Sequence, residues 1–266
     1  MKPPFDKRNR DKRKQFRPRS SAERRIDAIW IYGIHPVTAA LANPRRVIKR
    51  LLATKNALMR IVAGGSTIPL TPEETDPRGL DRLLGGEAVH QGIAAEVMPL
   101  DPPPIESLAE ARLILVLDQV TDPHNVGAMM RSALAFGADA IITTARHAPA
   151  ETGVLAKAAS GALDLLPSVE VKNLARALET LRGYGFALIG LAEDADLTIE
   201  QAMEGERIAL VLGAEGKGLR HLTRETCDRL ARLTTADNMA SLNVSNAAAI
   251  ALYLARRHLE ISRPAV

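Results

Sequence analysis

The chain carries a single cysteine, Cys227. One thiol excludes an internal disulfide and fits a reducing, cytoplasmic setting. It stands in Thr223-Arg-Glu-Thr-Cys-Asp-Arg229 with no histidine or second cysteine at metal-ligand spacing. An ordinary thiol and no metal site are therefore expected. Aromatic residues are scarce at 3%, so a core must be built from Ala, Leu, Val and Ile. No apolar run reaches the roughly 18 residues a membrane helix needs, so no membrane partner is expected. Met1 to Arg25 lacks the apolar stretch of a secretory signal. No G-x-G-x-x-G follows the first strand of the C-terminal half, which argues against an ordinary dinucleotide site. No helix-turn-helix or zinc pattern supports a DNA-binding reading.

What is present is unevenly spread. The net charge is +4, yet the first 25 residues hold eleven Lys or Arg against three acidic residues. The rest of the chain is therefore net acidic. Residues 1–26 are expected to be a disordered basic tail, because so little apolar surface cannot offset ordering entropy. Dense Lys and Arg suit phosphate contacts, so an RNA-tethering arm is set against a plain solubility tail. At 266 residues and 46% apolar content, two folded domains with real cores fit in the remainder.

Residues 27–98 read as a small α/β domain. The strand Ile29-Trp-Ile-Tyr32 runs into a helix with Val37, Ala40 and Leu41 on one face, ending before Pro44. A second helix is expected at Arg46 to Leu52, a strand at Ile61-Val62, a helix at Arg78 to Leu84, and a strand before Val97. His35 and His90 are candidates for RNA contact, with packing or capping the plainer alternative. Residues 99–111 form a linker in which Pro102, Pro103 and Pro104 enforce an extended, stiff segment that spaces the domains.

Residues 112–262 alternate strands and helices, which predicts a parallel sheet covered on both faces. Leu113 to Leu117 and Ile208 to Leu212 are continuous apolar runs, as expected of buried strands. Asn125 or Asp122 caps a helix over 126–136 that carries Arg131, with Gly127 allowing close approach of another backbone. Gly153 to Leu163 reads as one helix. The last helix, around Ala247 to Leu254, is apolar around most of its circumference. Burial against the sheet on one side and a second subunit on the other is expected, hence a homodimer.

Three stretches in this half stand out. They are Asn125-Val-Gly-Ala-Met-Met-Arg131, Gly213-Ala-Glu-Gly-Lys-Gly218 and Ser241-Leu-Asn-Val-Ser245. Together they resemble the ordered N-x-G-x-x-x-R, G-x-E-x-x-G and S-L-N-V-S motifs of the SpoU, or TrmH, family of RNA ribose 2′-O-methyltransferases. Ile31-Tyr-Gly-Ile-His-Pro-Val-Thr-Ala-Ala-Leu41 is similar to the N-terminal, L30e-like substrate-binding domain of members that methylate large-subunit ribosomal RNA. The resemblance implies a trefoil-knotted parallel-sheet (SPOUT) methyltransferase domain and S-adenosylmethionine as cofactor. It also implies a guanosine of 23S ribosomal RNA as target. A tRNA 2′-O-methyltransferase and a non-catalytic RNA-binding protein with the same fold are the alternatives.

The family pattern implies catalytic roles for Arg131, Asn125, Glu215, Ser241 and Asn243. It describes the arginine as the general base. A guanidinium has no acceptor and an ordinary pKa above about 12, so holding a phosphate and stabilising a forming alkoxide is the simpler role. An adenosine cofactor needs an apolar slot with backbone polar groups at its edge. Gly213, Leu233, Met239 and Leu242 are the candidates. Arg131, Lys217 and Arg220 are the candidate RNA contacts. Each has a plainer alternative: capping for Asn125, Ser241 and Asn243, a turn acid for Glu215, and solvated surface charge for Lys217, Arg220 and Arg131. Leu233-Thr-Thr-Ala236 lacks the proline that family members often carry before the third motif.

Overall fold

The computed structural model describes residues 28–236 and 242–261. The expected basic tail, Met239 and Ser241 lie outside them.

The N-terminal unit comprises β1 (Ile29–Tyr32), α1 (Ile34–Ala42), β2 (Ile48–Ala53), α2 (Lys55–Ala63), β3 (Glu73–Glu74), α3 (Pro77–Leu84) and β4 (Ile93–Val97). Its sheet runs in the order β1-β4-β2-β3. Here the structure corrects the sequence reading. Residues 46–52 are not helical, and Ile61-Val62 is not a strand. Ile48 to Ala53 pairs antiparallel with β4, burying Leu51 and Ala53 and exposing Lys49 and Arg50. Thr54 then caps α2, its Oγ1 accepting from Ala57 N at 3.3 Å. The helix buries Ala57 and Ile61, one turn apart, and leaves Val62 exposed. The β-branched pair therefore sits in a capped amphipathic helix, and tertiary burial overrides its strand propensity.

The second unit begins with a short 3-10 turn (Ile105–Leu108). There follow β5 (Leu113–Asp118), α4 (Pro123–Ala135), β6 (Ala140–Thr144), α5 (Gly153–Ala159), α6 (Ala162–Leu165), β7 (Ser168–Val171), α7 (Leu174–Gly183) and β8 (Ala187–Leu191). Then come β9 (Leu197–Thr198), α8 (Ile199–Ala202), β10 (Ile208–Gly213), α9 (His221–Thr226), β11 (Arg229–Arg232) and α10 (Val244–Ile261). The sheet order is β7-β6-β5-β10-β8-β11-β9, and every pairing is parallel. Two apolar clusters cover its two faces, and β5 and β10 are buried along their whole length. From β5 the chain runs outward one way through β6 and β7. It crosses to the other side as β8, and β10 later fills the place between β5 and β8. The C-terminal ends of β5 and β10, where Asp118 pairs in register with Gly213, thus flank a topological switch point.

The helix expected over 153–163 is broken. Ser160 and Gly161 are both left-handed, at φ 51° and 98°, which turns α6 away from α5. A Cβ on Gly161 would stand 3.1 Å from Ala39 Cβ and 3.4 Å from the His35 carbonyl, so the break lets α1 approach. The first unit therefore packs directly on the second. The spacing expected from the prolines is not seen: Arg46 lies fully buried between the units.

Candidate active site

β10 ends at Gly213, and the chain folds straight back over it. Ala214 bridges Gly218, and Gly218 N donates to the Ala214 carbonyl at 2.8 Å. Gly216 and Gly218 take left-handed φ values of 74° and 62°, which favour glycine. Beneath this loop opens a cavity of about 920 Å³. That lies in the range of small-molecule sites. Its walls come from the end of β8 (Leu191 to Asp194), the glycine loop, the segment after β11 (Leu233 to Ala236) and the start of α10 (Leu242, Val244, Ala247).

Three of the four expected cofactor residues, Gly213, Leu233 and Leu242, line this one cavity, as do Glu215 and Lys217. Both charged side chains are exposed and have no hydrogen bond or ion pair among the described residues. Arg220 does not line it. Its backbone N and its Nε donate to Asp118 at 3.0 and 2.6 Å, and the Asp118 side chain is fully buried. The pair ties the far end of the glycine loop to β5 across the switch point. On the opposite wall Asp194 takes a bidentate pair from Arg224 at 2.8 and 2.9 Å. That hydrogen-bonded guanidinium holds the Asp194 carboxyl below its ordinary range.

The first and third motifs meet at the rim. Asp122, not Asn125, caps α4, with Oδ1 accepting from His124 N at 2.9 Å. Asn125 sits in the first turn, and its Oδ1 accepts from Asn243 Nδ2 at 3.2 Å. Asn243 in turn opens α10, its Oδ1 accepting from Ser245 N at 2.9 Å and Ser245 Oγ at 2.6 Å. Capping and bridging are thus combined in one side chain. Arg131 lies apart from the cavity lining. It is six residues beyond Asn125, about 9 Å along the helix axis. It is exposed and has no partner among the described residues.

Residues missed from sequence are Asp118, Asp194 and Arg224. Asp118 had a signal: it is the one charge closing the apolar run Leu113-Ile-Leu-Val-Leu-Asp118. Behind the cavity wall, burial pushes the Cys227 thiol up to about 12, with Asp228 adding to the shift. Among the described residues no group of three or more His, Cys, Asp or Glu is placed to hold a metal, and no helix is long and apolar enough to cross a membrane.

Comparison with known proteins agrees with this geometry. Residues 112–253 match the SpoU rRNA methylase family, and residues 30–103 match the RNA 2′-O ribose methyltransferase substrate-binding family. The chain belongs to the SpoU rRNA methylase family. It is 40% identical over 246 residues to the 23S rRNA (guanosine-2′-O-)-methyltransferase RlmB of Pseudomonas putida, covering 88% of this chain and 98% of that protein. It is 42% identical over 236 residues to the protein of the same name from Pseudomonas aeruginosa, covering 84% and 94%. Among solved structures, the SpoU methyltransferase AviRb of Streptomyces viridochromogenes, in complex with AdoMet, shares the fold. Its TM-score is 0.72 at 24% identity, over 90% of this chain and 92% of that one.

Proposed function

We propose that the chain transfers the methyl group of S-adenosylmethionine to the ribose 2′-hydroxyl of a guanosine in 23S ribosomal RNA. One observation carries the reading: the glycine-loop cavity lies beside the Asn125–Asn243 bond, which joins the first and third motifs at its rim. Gly213, Leu233 and Leu242 frame the slot for the adenosine, with Met239 expected to join them. Glu193 and Glu215 offer carboxylates at the cavity edge to a cationic sulfonium, set against Lys217 and Arg232, while Asp194 is paired with Arg224. The 2′-oxygen attacks the methyl carbon, the carbon–sulfur bond breaks, and the sulfur leaves neutral while the hydroxyl proton passes to solvent. A guanidinium donates and does not accept, so Arg131 holds the RNA phosphate and stabilises the developing alkoxide. Lys217 adds a second phosphate contact. Arg220 anchors the loop through Asp118. Ser241, outside the described residues, is assigned a cofactor contact by its motif alone.

Arg131 lies outside its own chain's cavity, so a second copy is assigned the task of bringing it there. The exposed Ile250 and Tyr253 of α10 supply an apolar face for such a homodimer. Arg131→Ala and Glu215→Ala are each expected to be inactive, and mixing them is expected to restore part of the activity. A monomeric mass by light scattering, or no recovery on mixing, would contradict the dimer. The setting is cytoplasmic, and the basic tail is assigned to RNA tethering.

The direct test is transfer of labelled methyl from S-adenosylmethionine to unmodified 23S ribosomal RNA and, separately, to bulk tRNA. Label on the ribosomal RNA alone supports the proposal. Label on tRNA alone would keep the chemistry and overturn the target. Absence of both transfer and cofactor binding would leave an RNA-binding protein.

A further inference from the structure

The two sheet units meet on a face that none of the three motifs touches, and beside its apolar packing lies a buried polar cluster centred on one side chain. Arg46 lies in the loop between α1 and β2. Its Nε donates to Asp164 Oδ1 at 2.7 Å, and its Nη1 donates to the Met98 carbonyl at 2.9 Å and to Glu151. Asn43 Nδ2 donates to both the carbonyl and the Oδ1 of Asp164, each at 3.1 Å. Glu151 Oε2 accepts from Leu100 N at 3.1 Å. The guanidinium thereby joins the first unit to the second, and Glu151 adds the segment between them through Leu100.

Such a cluster is a poor device for stability alone. Two carboxylates face one cation, and burial holds the Glu151 carboxyl above its ordinary range. Arg46 Nη2 is buried without a partner. Buried ion pairs add little over apolar packing of the same volume. What they impose is direction: the fork of a guanidinium meets its acceptors in one register, where an apolar face can slide.

That register reaches the motif-bearing helix. A Cβ on Gly153 of α5 would stand 2.5 Å from Tyr32 Cε1 and 2.6 Å from the Trp30 carbonyl, so β1 lies hard against α5. A Cβ on Gly127 of α4 would stand 2.5 Å from Ala158 Cβ and 2.9 Å from Ala159 N, so α5 lies hard against α4. The first unit thus bears on the helix holding Asn125 and Arg131 through a single close-packed helix. Lys157 Nζ, on that same helix, donates to Gln91 Oε1 of the first unit at 3.1 Å.

We infer that Arg46, with Asp164 and Glu151, is a positioning cluster that fixes the distance from the first unit's RNA contacts to the reacting ribose. The inference rests on reading the first unit as the RNA-binding one. RNA targets are chosen largely by shape, so a fixed spacing between two contact sites is itself a selectivity element.

The test compares Arg46→Met and the charge-free variant Arg46→Met/Glu151→Gln/Asp164→Asn with the wild type. The second keeps the question open to measurement should the first fail to fold. On a long 23S ribosomal RNA fragment, kcat/KM is expected to fall by about tenfold or more, chiefly through KM. On a hairpin too short to reach the first unit it is expected to stay unchanged, as is the affinity for S-adenosylmethionine. A purely structural role would lower both substrates and cofactor binding together. A second measurement needs no activity. Spin labels at Glu87→Cys and Glu179→Cys, both exposed positions, report the distance between units. A narrow distribution that broadens in the variants supports the cluster's role. An unchanged distribution, or wild-type kcat/KM on the long RNA, overturns it. A wild type that methylates no RNA but shows the narrow distribution strikes the proposed function and leaves the joint standing.

Discussion

Gly213→Ala adds one methyl group at the most crowded point of the cavity wall. The new Cβ would stand 2.0 Å from Gly218 C, 2.1 Å from Gly218 O and 2.3 Å from Leu219 N. Ordinary contacts between carbon atoms lie near 3.5–4.0 Å, so the loop must retreat by roughly 1.5 Å. Every atom met is backbone, so no side-chain rotation relieves the clash. The loop is also held at both ends, by the Ala214–Gly218 bridge and by Arg220 on Asp118. Overpacking of this kind costs about 1–3 kcal/mol. In a chain of this size that corresponds to a fall in Tm of about 2–4 °C per kcal/mol. Because the same loop frames the cavity, whatever part of that strain the free loop sheds by retreating, up to about 3 kcal/mol, appears instead as lost cofactor binding, at most roughly a hundredfold in Kd. Calorimetry with S-adenosylmethionine and a thermal melt read both quantities. A Kd within about threefold of wild type at an unchanged Tm would refute the reasoning.

Arg131→Lys keeps the charge and loses the fork. Its exposed site predicts a stability change within about 0.5 kcal/mol and an unchanged cofactor Kd, while methyl transfer falls by about a hundredfold or more; near-normal turnover would remove Arg131 from its assigned role. Cys227, half-buried and with its thiol pushed up to about 12, should label slowly with a thiol reagent at pH 8 in the folded protein and fully in denaturant; equal rates in the two states would contradict the raised thiol. Burial raises the Glu151 carboxyl, so the folded state binds this proton more tightly than the unfolded chain. The stability it contributes is full below the ordinary carboxylate pKa of about 4.3 and is lost as pH rises through the folded value. Melts of Glu151→Gln should therefore gain on wild type as pH rises above the ordinary carboxylate range; a loss that grows with pH would reverse the sign.

The strands were the most legible part of the chain. Leu113 to Leu117 and Ile208 to Leu212 are unbroken apolar runs, and both are central strands. The swap at residues 46–63 shows where pattern reading failed. Ile48-Lys-Arg-Leu-Leu-Ala53 has no clean alternation because its register shifts between Ile48 and Arg50, a bulge that periodicity does not reveal. The short β9 and α8 escaped for want of length, although Thr198-Ile-Glu-Gln201 has the form of a capping box, with Thr198 N donating to Gln201 Oε1 at 2.9 Å.

In the site, the motifs named the glycine loop, but the bonds that organise it span too much sequence for any local signal. Asn243 reaches Asn125 across 118 residues and Arg220 reaches Asp118 across 102. Arg46 illustrates the same limit. A charged residue in a loop is expected at the surface, and only the tertiary meeting of Arg46, Glu151 and Asp164 buries it. The Pro102 to Pro104 run suggested separation, whereas the residues that join the units, the polar Arg46, Glu151 and Asp164 and the close-packed Gly153 and Gly161, share no local pattern.

The most direct measurement is digestion of unmodified 23S ribosomal RNA after reaction with the chain and S-adenosylmethionine, followed by nucleoside mass spectrometry. The expected result is 2′-O-methylguanosine at one position, absent from the Arg131→Ala reaction. Methylation of a base, of a different nucleoside, or at equal level in Arg131→Ala would contradict the assignment of ribose chemistry to this site.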